Sequence, residues 1–320
     1  MRAAPSGSVV TIGETMVRMS TRGFGPFPHN DCLDLGVGGA ESNVAIGVQR
    51  LGVPATWIGK LGCDPLGDLV VREIAAEGVR VLASRDDEAP TSLMIKERRT
   101  PNRTSVWYYR RGNAGSRLRA DEIDLDEIKG ASVLHVTGIS LALSDTLAAT
   151  IMDAVAIARS AGVVVSFDLN YRSKLWAPET ASAAYGLIIP LCDVVFAGEH
   201  EACIALGEDS SSSPLDLAVR IADMGPSQAV IKLGEKGAVA RAEGASYEQQ
   251  AIPIEPVDTV GAGDAFVAGY LADLTCGRDV QQRLLTAVTA GAYACLNSGD
   301  WEGLPRRDEL QYLVQGEVSR

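Results

Sequence analysis

The residues best suited to chemistry lie in the run Asp258-Thr259-Val260-Gly261-Ala262-Gly263-Asp264, which leads into an apolar helical stretch ending near Leu274. Small residues at 261–263 allow a tight turn that brings several backbone N–H groups to bear on one point. A helix beginning there adds the positive end of its dipole, so the turn is a ready cradle for a phosphoryl group. Asp264 stands at the mouth of that anion site, where a carboxylate is electrostatically awkward. It makes sense there as a base that accepts a proton from a nucleophilic hydroxyl. The plainer reading is a helix N-cap. Gly261, Ala262, Gly263 and Asp264 are therefore the catalytic candidates. The G-x-x-x-x-G-K-[ST] loop and the strand–turn–helix dinucleotide fingerprint are both absent.

Two arginines speak to the acceptor. Tyr108-Tyr109-Arg110 closes a strand-like run, and period two puts Tyr108 and Arg110 on one face. Asp168-Leu169-Asn170-Tyr171-Arg172 follows a buried strand, at the end where open α/β sheets bind ligands. An arginine at each place suits a carboxylate, which guanidinium grips in bidentate fashion. A neutral hexose gives no reason for that pair. Arg172 also reads as half of a structural ion pair. The other cations of residues 96–119, Lys96 among them, read mostly as a solvated surface, and Trp107 and Tyr109 as core or lid-to-lid contacts.

The elements that must position these groups alternate along the whole chain. Val9–Ile12, Ala55–Ile58, Val133–Thr137, Val163–Asp168, Val194–Phe196 and Ala229–Leu233 read as buried strands. Pro65–Glu77, Ser144–Ser160 and Ala262–Cys276 read as helices, with Leu66, Leu69, Val70 and Ile74 on one face of the first. Such alternation predicts an α/β fold, a mainly parallel sheet covered by helices on both faces, within a single domain spanning 1–320. Segments at about 15–37 and 91–111 break the rhythm and predict a small β-lid; in the second, Thr91–Lys96 and Thr104–Arg111 form a hairpin. Its exposed edge invites pairing with a second subunit. Asp209–Pro214, with four serines, reads as a surface loop.

Composition narrows the function classes. The chain has 320 residues, 46% hydrophobic, with 29 Lys+Arg against 41 Asp+Glu, a net charge of −12. That balance argues against broad nucleic-acid binding, although a local cluster can still hold an anionic small molecule. No run of eighteen apolar residues is present, and the N-terminus meets Gly-Glu too early for a signal peptide, so a cytoplasmic protein with no membrane segment is expected. The six cysteines form no C-x-x-C pair, and buried reduced thiols are expected.

The string 258–274 resembles the C-terminal signature of the ribokinase-like (PfkB) carbohydrate kinases, in which this Asp is the catalytic base. Gly38-Gly39-Ala40-Glu41-Ser42-Asn43, read from residue types alone a turn plus a helix cap, resembles the family's N-terminal signature. The resemblance implies a three-layer ribokinase-like sandwich, ATP and Mg²⁺ as cofactors, and sugar contacts from Gly39 and Asn43. It further implies that Lys232, Gly234 and Gly237 lie against the nucleotide. Gly198-Glu199-His200-Glu201 is similar to an Asn-x-x-Glu magnesium motif, with Gly198 in place of the Asn and Glu201 kept. The Tyr108/Arg110 and Asn170/Arg172 segments, with Gly299-Asp300-Trp301, resemble the subgroup that phosphorylates 2-keto-3-deoxygluconate. There Arg110, Arg172, Tyr108 and Asp300 would contact substrate, and Asn170 and Arg172 nucleotide. Met94 departs from that pattern, standing where a Tyr is expected. A fructokinase or other neutral-sugar kinase is the alternative.

Overall fold

The computed structural model describes residues 7–29, 32–100, 103–208 and 212–315. Thirteen strands follow in chain order: β1 Val9–Ile12, β2 Met16–Thr21, β3 Leu33–Gly38, β4 Ala55–Gly62, β5 Arg80–Asp86, β6 Leu93–Thr100, β7 Arg103–Tyr109, β8 Val133–Thr137, β9 Val164–Asp168, β10 Val194–Gly198, β11 Gln228–Lys232, β12 Ala238–Ala242 and β13 Ala245–Gln249. Nine of them form one sheet in the order β13-β12-β11-β10-β9-β8-β1-β4-β5. Every pair from β5 to β11 is parallel; β11–β12 and β12–β13 are antiparallel. The chain leaves β1 toward β4 on one side and β8 on the other, so the order reverses at β1. Open α/β sheets bind ligands beyond the C-terminal strand ends at such a point.

Helices cover the two faces, most burying one apolar stripe, while Ala262–Thr275 is buried all round from Ala265 to Asp273. Ala40–Arg50, Pro65–Ala76, Ala262–Thr275 and Val280–Ala294 share one core with Val9, Trp57, Phe196 and Val230. Asp145–Ser160, Pro178–Ile188, Glu199–Leu206 and Pro214–Asp223 share the other with Ile12, Val136 and Phe167. This is the α/β/α sandwich expected. Local chemistry starts the helices: the Asp64 carboxylate accepts from Gly67 N ahead of Pro65, and the Ser144 hydroxyl from Leu147 N.

The remaining strands form a second sheet, β3-β2-β6-β7, with antiparallel outer pairs joined by parallel β2–β6. Both expected lid segments contribute to it. The β6–β7 hairpin forms as expected, although its tip, with Pro101 and Asn102, lies outside the described residues, as do residues 209–211 of the serine loop. Its inner face carries Met94 opposite Tyr108 and Lys96 opposite Val106. Its outer face carries the apolar row Leu35, Met19, Ile95 and Trp107. Two expectations need correcting. Cys32, Cys63 and Cys276 are exposed, and only Cys192, Cys203 and Cys295 are buried. Lys96 is no surface residue, being 8% exposed. Among the described residues no helix is long and apolar enough to cross a membrane.

Candidate active site

A cavity of about 500 Å³ opens beyond the C-terminal ends of β1, β8, β9, β10 and β11, under the inner face of the lid. Four of these strand ends deliver polar side chains to it, Glu14 after β1, Asp168 and Asn170 at the end of β9, Glu201 after β10 and Lys232 from β11, whereas β8 contributes Ile139. Asn170 holds φ 41, a left-handed backbone unusual for a residue other than glycine. Such strain persists where the surroundings enforce it, commonly at functional sites.

Gly261, Gly263 and Asp264 line the cavity; Ala262, the first residue of the helix, does not. Gly261 caps that helix with φ 76, and a Cβ there would lie 2.0 Å from the Asp300 carbonyl oxygen. The turn thus needs glycine at 261, whereas a Cβ at 263 would meet only Lys232 Nζ, at 3.8 Å. Asp264 sits in the helix's first turn and is not the N-cap, which disposes of the plainer reading. Its Oδ2 accepts a 2.8 Å bond from Asn43 Nδ2, leaving Oδ1 for a ligand. Burial pushes the carboxyl up to about 7, against the Asn43 bond that favours ionisation, with the Asp168 charge adding to the rise. Asn43, expected to meet sugar hydroxyls, lines the cavity: its amide nitrogen donates to Asp264, and its buried Oδ1 has no partner among the described residues. Gly39, the cap of the helix carrying Asn43, lines the cavity, and a Cβ there would strike the Glu14 carbonyl oxygen at 2.3 Å.

The cations of the cavity are mostly paired. Lys232 Nζ lies 2.9 and 2.7 Å from the two Asp168 oxygens. Burial works against its charge, yet Asp168 and Glu201 hold it above the usual lysine value. Arg110, 9% exposed, gives Nε and Nη2 to Glu14 Oε2 at 2.7 and 2.5 Å, and lies 5.6 Å from the centre of the Tyr108 ring. The guanidinium expected to grip a carboxylate has therefore spent two of its nitrogens on Glu14. Lys96 Nζ is 2.8 Å from both oxygens of Asp300, and Arg18 Nη1 is 3.3 Å from Oδ2. Arg172 is exposed at the cavity wall, makes no ion pair among the described residues, and donates to the Tyr171 carbonyl.

Glu201 lines the cavity with both oxygens engaged: Oε2 accepts from Gly198 N at 2.6 Å and Oε1 from Tyr171 N at 2.9 Å. Gly198, in the Asn position of the motif, thus becomes the helix cap that Glu201 closes. Gly234 and Gly237 lie outside the cavity lining. A Cβ on Gly237, at φ 101, would fall 2.0 Å from Gln249 O, so the β11–β12 turn itself requires that glycine. Lys96 and Glu14 escaped the sequence reading. Parity alone reveals Lys96, two residues beyond Met94 on the same face; Glu14 carries no such signal.

Residues 6–307 match the pfkB family carbohydrate kinase profile. The chain is 35% identical to the 2-dehydro-3-deoxygalactonokinase of Haloferax volcanii, over 97% of this chain and 98% of that one. It is 34% identical to the 2-dehydro-3-deoxygluconokinase of Bacillus subtilis, over 96% and 95%, and 33% identical to a Klebsiella pneumoniae fructokinase, over 86% and 90%. A crystal structure of an Escherichia coli chain provisionally described as ribokinase II, in complex with ATP and Mg²⁺, superposes with a TM-score of 0.88 at 26% identity, covering 97% of this chain and 100% of that one.

Proposed function

Because the chain belongs to the pfkB family of carbohydrate kinases, we propose that it transfers the γ-phosphoryl group of ATP to the terminal hydroxyl of 2-keto-3-deoxygluconate, giving the 6-phosphate. Asp264 carries this reading. Its one free oxygen faces a cavity beside a glycine turn where the Gly263 and Asp264 N–H groups have no intrahelical partners, while Ala262 N donates to Thr259 O. Asp264 takes the proton as the hydroxyl oxygen bonds phosphorus and the bond from phosphorus to the nucleotide breaks. Asn43 fixes the carboxylate's orientation, and the backbone of 261–264 with Lys232 meets the charge on the transferring group. Gly39 and Tyr108 border the sugar, and Asn170 with the 234–237 turn the nucleotide.

The donor set fits a magnesium nucleotide. Six acids line the cavity, namely Glu14, Glu41, Asp168, Glu201, Asp264 and Asp300, against Lys96, Arg110, Arg172 and Lys232. Burial pushes Glu41 upward despite hydrogen bonds from Ser140 and Thr137, and Asp264 up to about 7, so the ionised acids about balance the four cations and the charge of the phosphates is left for a divalent cation to offset. Among the described residues no cluster of three acids, histidines or cysteines could ligate a metal unaided. Glu201, its oxygens already accepting amides, would hold Mg²⁺ through water, with phosphate oxygens completing the shell. When bound, Mg²⁺ neutralises phosphate charge; activity is expected to vanish in EDTA and return with added Mg²⁺.

Arg172, a cavity cation without an acid partner among the described residues, supports an anionic acceptor, with the free edge of Arg110 assisting. The pairing of Arg110 with Glu14 favours the second reading, a fructokinase, because it removes part of the reason for a carboxylate. A coupled ADP-release assay over 2-keto-3-deoxygluconate, gluconate, fructose and ribose decides: preference for the keto acid supports the first reading, preference for fructose the second. A second copy packed on the outer face of the lid belongs to the same reading.

A further inference from the structure

We propose that Lys96 determines specificity: together with Asp300 it reads one substrate hydroxyl, while Met94 beside them covers a carbon that bears none. The inference deepens the sugar-acid reading and rests on it. Lys96 and Asp300 are each 8% exposed and both line the cavity. A buried ion pair of this kind is about neutral in stability against well-packed apolar side chains, so stability alone does not account for it.

Its hydrogen-bonding capacity is incompletely used. The Lys96 ammonium has three N–H groups and spends two on Asp300. Asp300 Oδ2 accepts from Lys96 and also faces Arg18 Nη1 at 3.3 Å as an ion pair, whereas Oδ1 has Lys96 alone. One donor and one acceptor therefore remain side by side. A hydroxyl satisfies both at once; a methylene satisfies neither and leaves the buried charges unpaired. Arg18 is in turn occupied by Glu302, so the four charges Lys96, Arg18, Asp300 and Glu302 cancel. Asp300 can consequently face an anionic substrate without repelling it.

Met94 supplies the other half. It is 4% exposed, lines the same cavity, and shares the inner lid face with Lys96. Its Cε and the Asp300 Cγ lie 2.8 and 2.9 Å from the position a Cβ on Gly38 would take, so methyl and carboxylate flank one point. An apolar methyl beside a donor–acceptor pair complements a methylene bonded to a carbinol carbon. In a 2-keto-3-deoxy acid that unit is C3 and C4, and C4 is the carbon at which the gluconate and galactonate epimers differ.

The test compares kcat/KM of wild type, Lys96→Met and Lys96→Arg on 2-keto-3-deoxygluconate, its C4 epimer and fructose, with KM for ATP as control. Wild type is expected to prefer one epimer. Lys96→Met should lower kcat/KM for that epimer by about 10–150-fold, the range for a charge-assisted hydrogen bond. The epimer ratio should then fall toward one with KM for ATP unchanged. Lys96→Arg, which keeps the charge against Asp300 but moves the donors, should shift the ratio while folding normally, and carries the test if Lys96→Met does not fold. Equal use of both epimers by wild type, or an epimer ratio unaltered in the variants, overturns the assignment and leaves the sugar-acid reading standing. Preference for fructose over both acids overturns the sugar-acid reading, and this inference with it. Met94→Ser should raise the relative use of 2-ketogluconate, which bears a C3 hydroxyl; no change removes Met94 from the account.

Discussion

Burial pushes the Asp264 carboxyl up to about 7, while the Asn43 amide and the charges of Arg172 and Lys232 draw it back toward ionisation. A base poised there is half-ionised near neutrality, the range in which general-base catalysis is most effective. For the free enzyme, kcat/KM should therefore rise with pH through about 7 and fall below it, as protonation removes the acceptor. Asp264→Asn should lower turnover roughly 10²–10⁴-fold, the usual worth of a general base, with nucleotide binding retained; steady-state kinetics and calorimetric titration with ATP check both. The same substitution has a stability signature of definite sign. Because the folded carboxyl sits above its ordinary 3.8, ionising it costs folded stability as pH rises from about 4 through 7, on the order of a few kcal/mol. The variant should melt higher than wild type at pH 8, and the gap should close toward pH 4. A melting temperature lower than wild type at pH 8 would contradict the burial assigned to Asp264.

Three short pieces of chain align these groups: the turn at 261–264, the segment Gly299–Glu302, and the lid strand β6. They are coupled, since the Asp300 carbonyl abuts Gly261, its carboxylate holds Lys96, and Trp301 Nε1 donates to Val37 O of β3. Gly261→Ala should lose about 1–3 kcal/mol from the left-handed backbone alone, and activity as well, because the clash displaces Asp300. Gly263→Ala has open space and an ordinary φ, so its melting temperature should stay near wild type; thermal melts of the pair test the distinction. At this scale the sequence was legible where burial is deep. β1 and β8 fall within the expected bounds, and β4, β9, β10 and β11 shift by a few residues, because β-branched runs signal two-sided burial. β5, half-exposed at the sheet edge, and the β12–β13 hairpin, with the alanine-rich run Ala238–Ala242, lack that signal. The one cue to the hairpin was Glu243-Gly244, whose φ values of 52 and 78 form the two-residue turn that antiparallel strands require.

Across the molecule, parallel strands deliver their C-terminal ends to one edge, the rule that pointed to Arg172; Asp264 was legible from its glycine turn, and Gly39, Asn43 and Lys232 from the family resemblance alone. The pairings were not legible. That Arg110 belongs to Glu14, Lys96 to Asp300 and Asn43 to Asp264 depends on contacts across 96, 204 and 221 residues of chain, which no local spacing encodes. The lid's outer row of Leu35, Met19, Ile95 and Trp107 leaves Trp107 46% exposed, and it is the face that the proposed second copy would cover. Light scattering should show a dimer that Trp107→Glu weakens; a wild type monomeric at micromolar concentration would remove that partner. The central claim is the acceptor, and its most direct measurement is the wild-type kcat/KM for 2-keto-3-deoxygluconate against that for fructose, with ATP and Mg²⁺ saturating and the product's phosphate position read by ³¹P NMR. The account predicts preference for the keto acid by at least about tenfold, the lower worth of one charge-assisted contact, with phosphate on C6. Equal or better use of fructose, or phosphate on any other carbon, would contradict it.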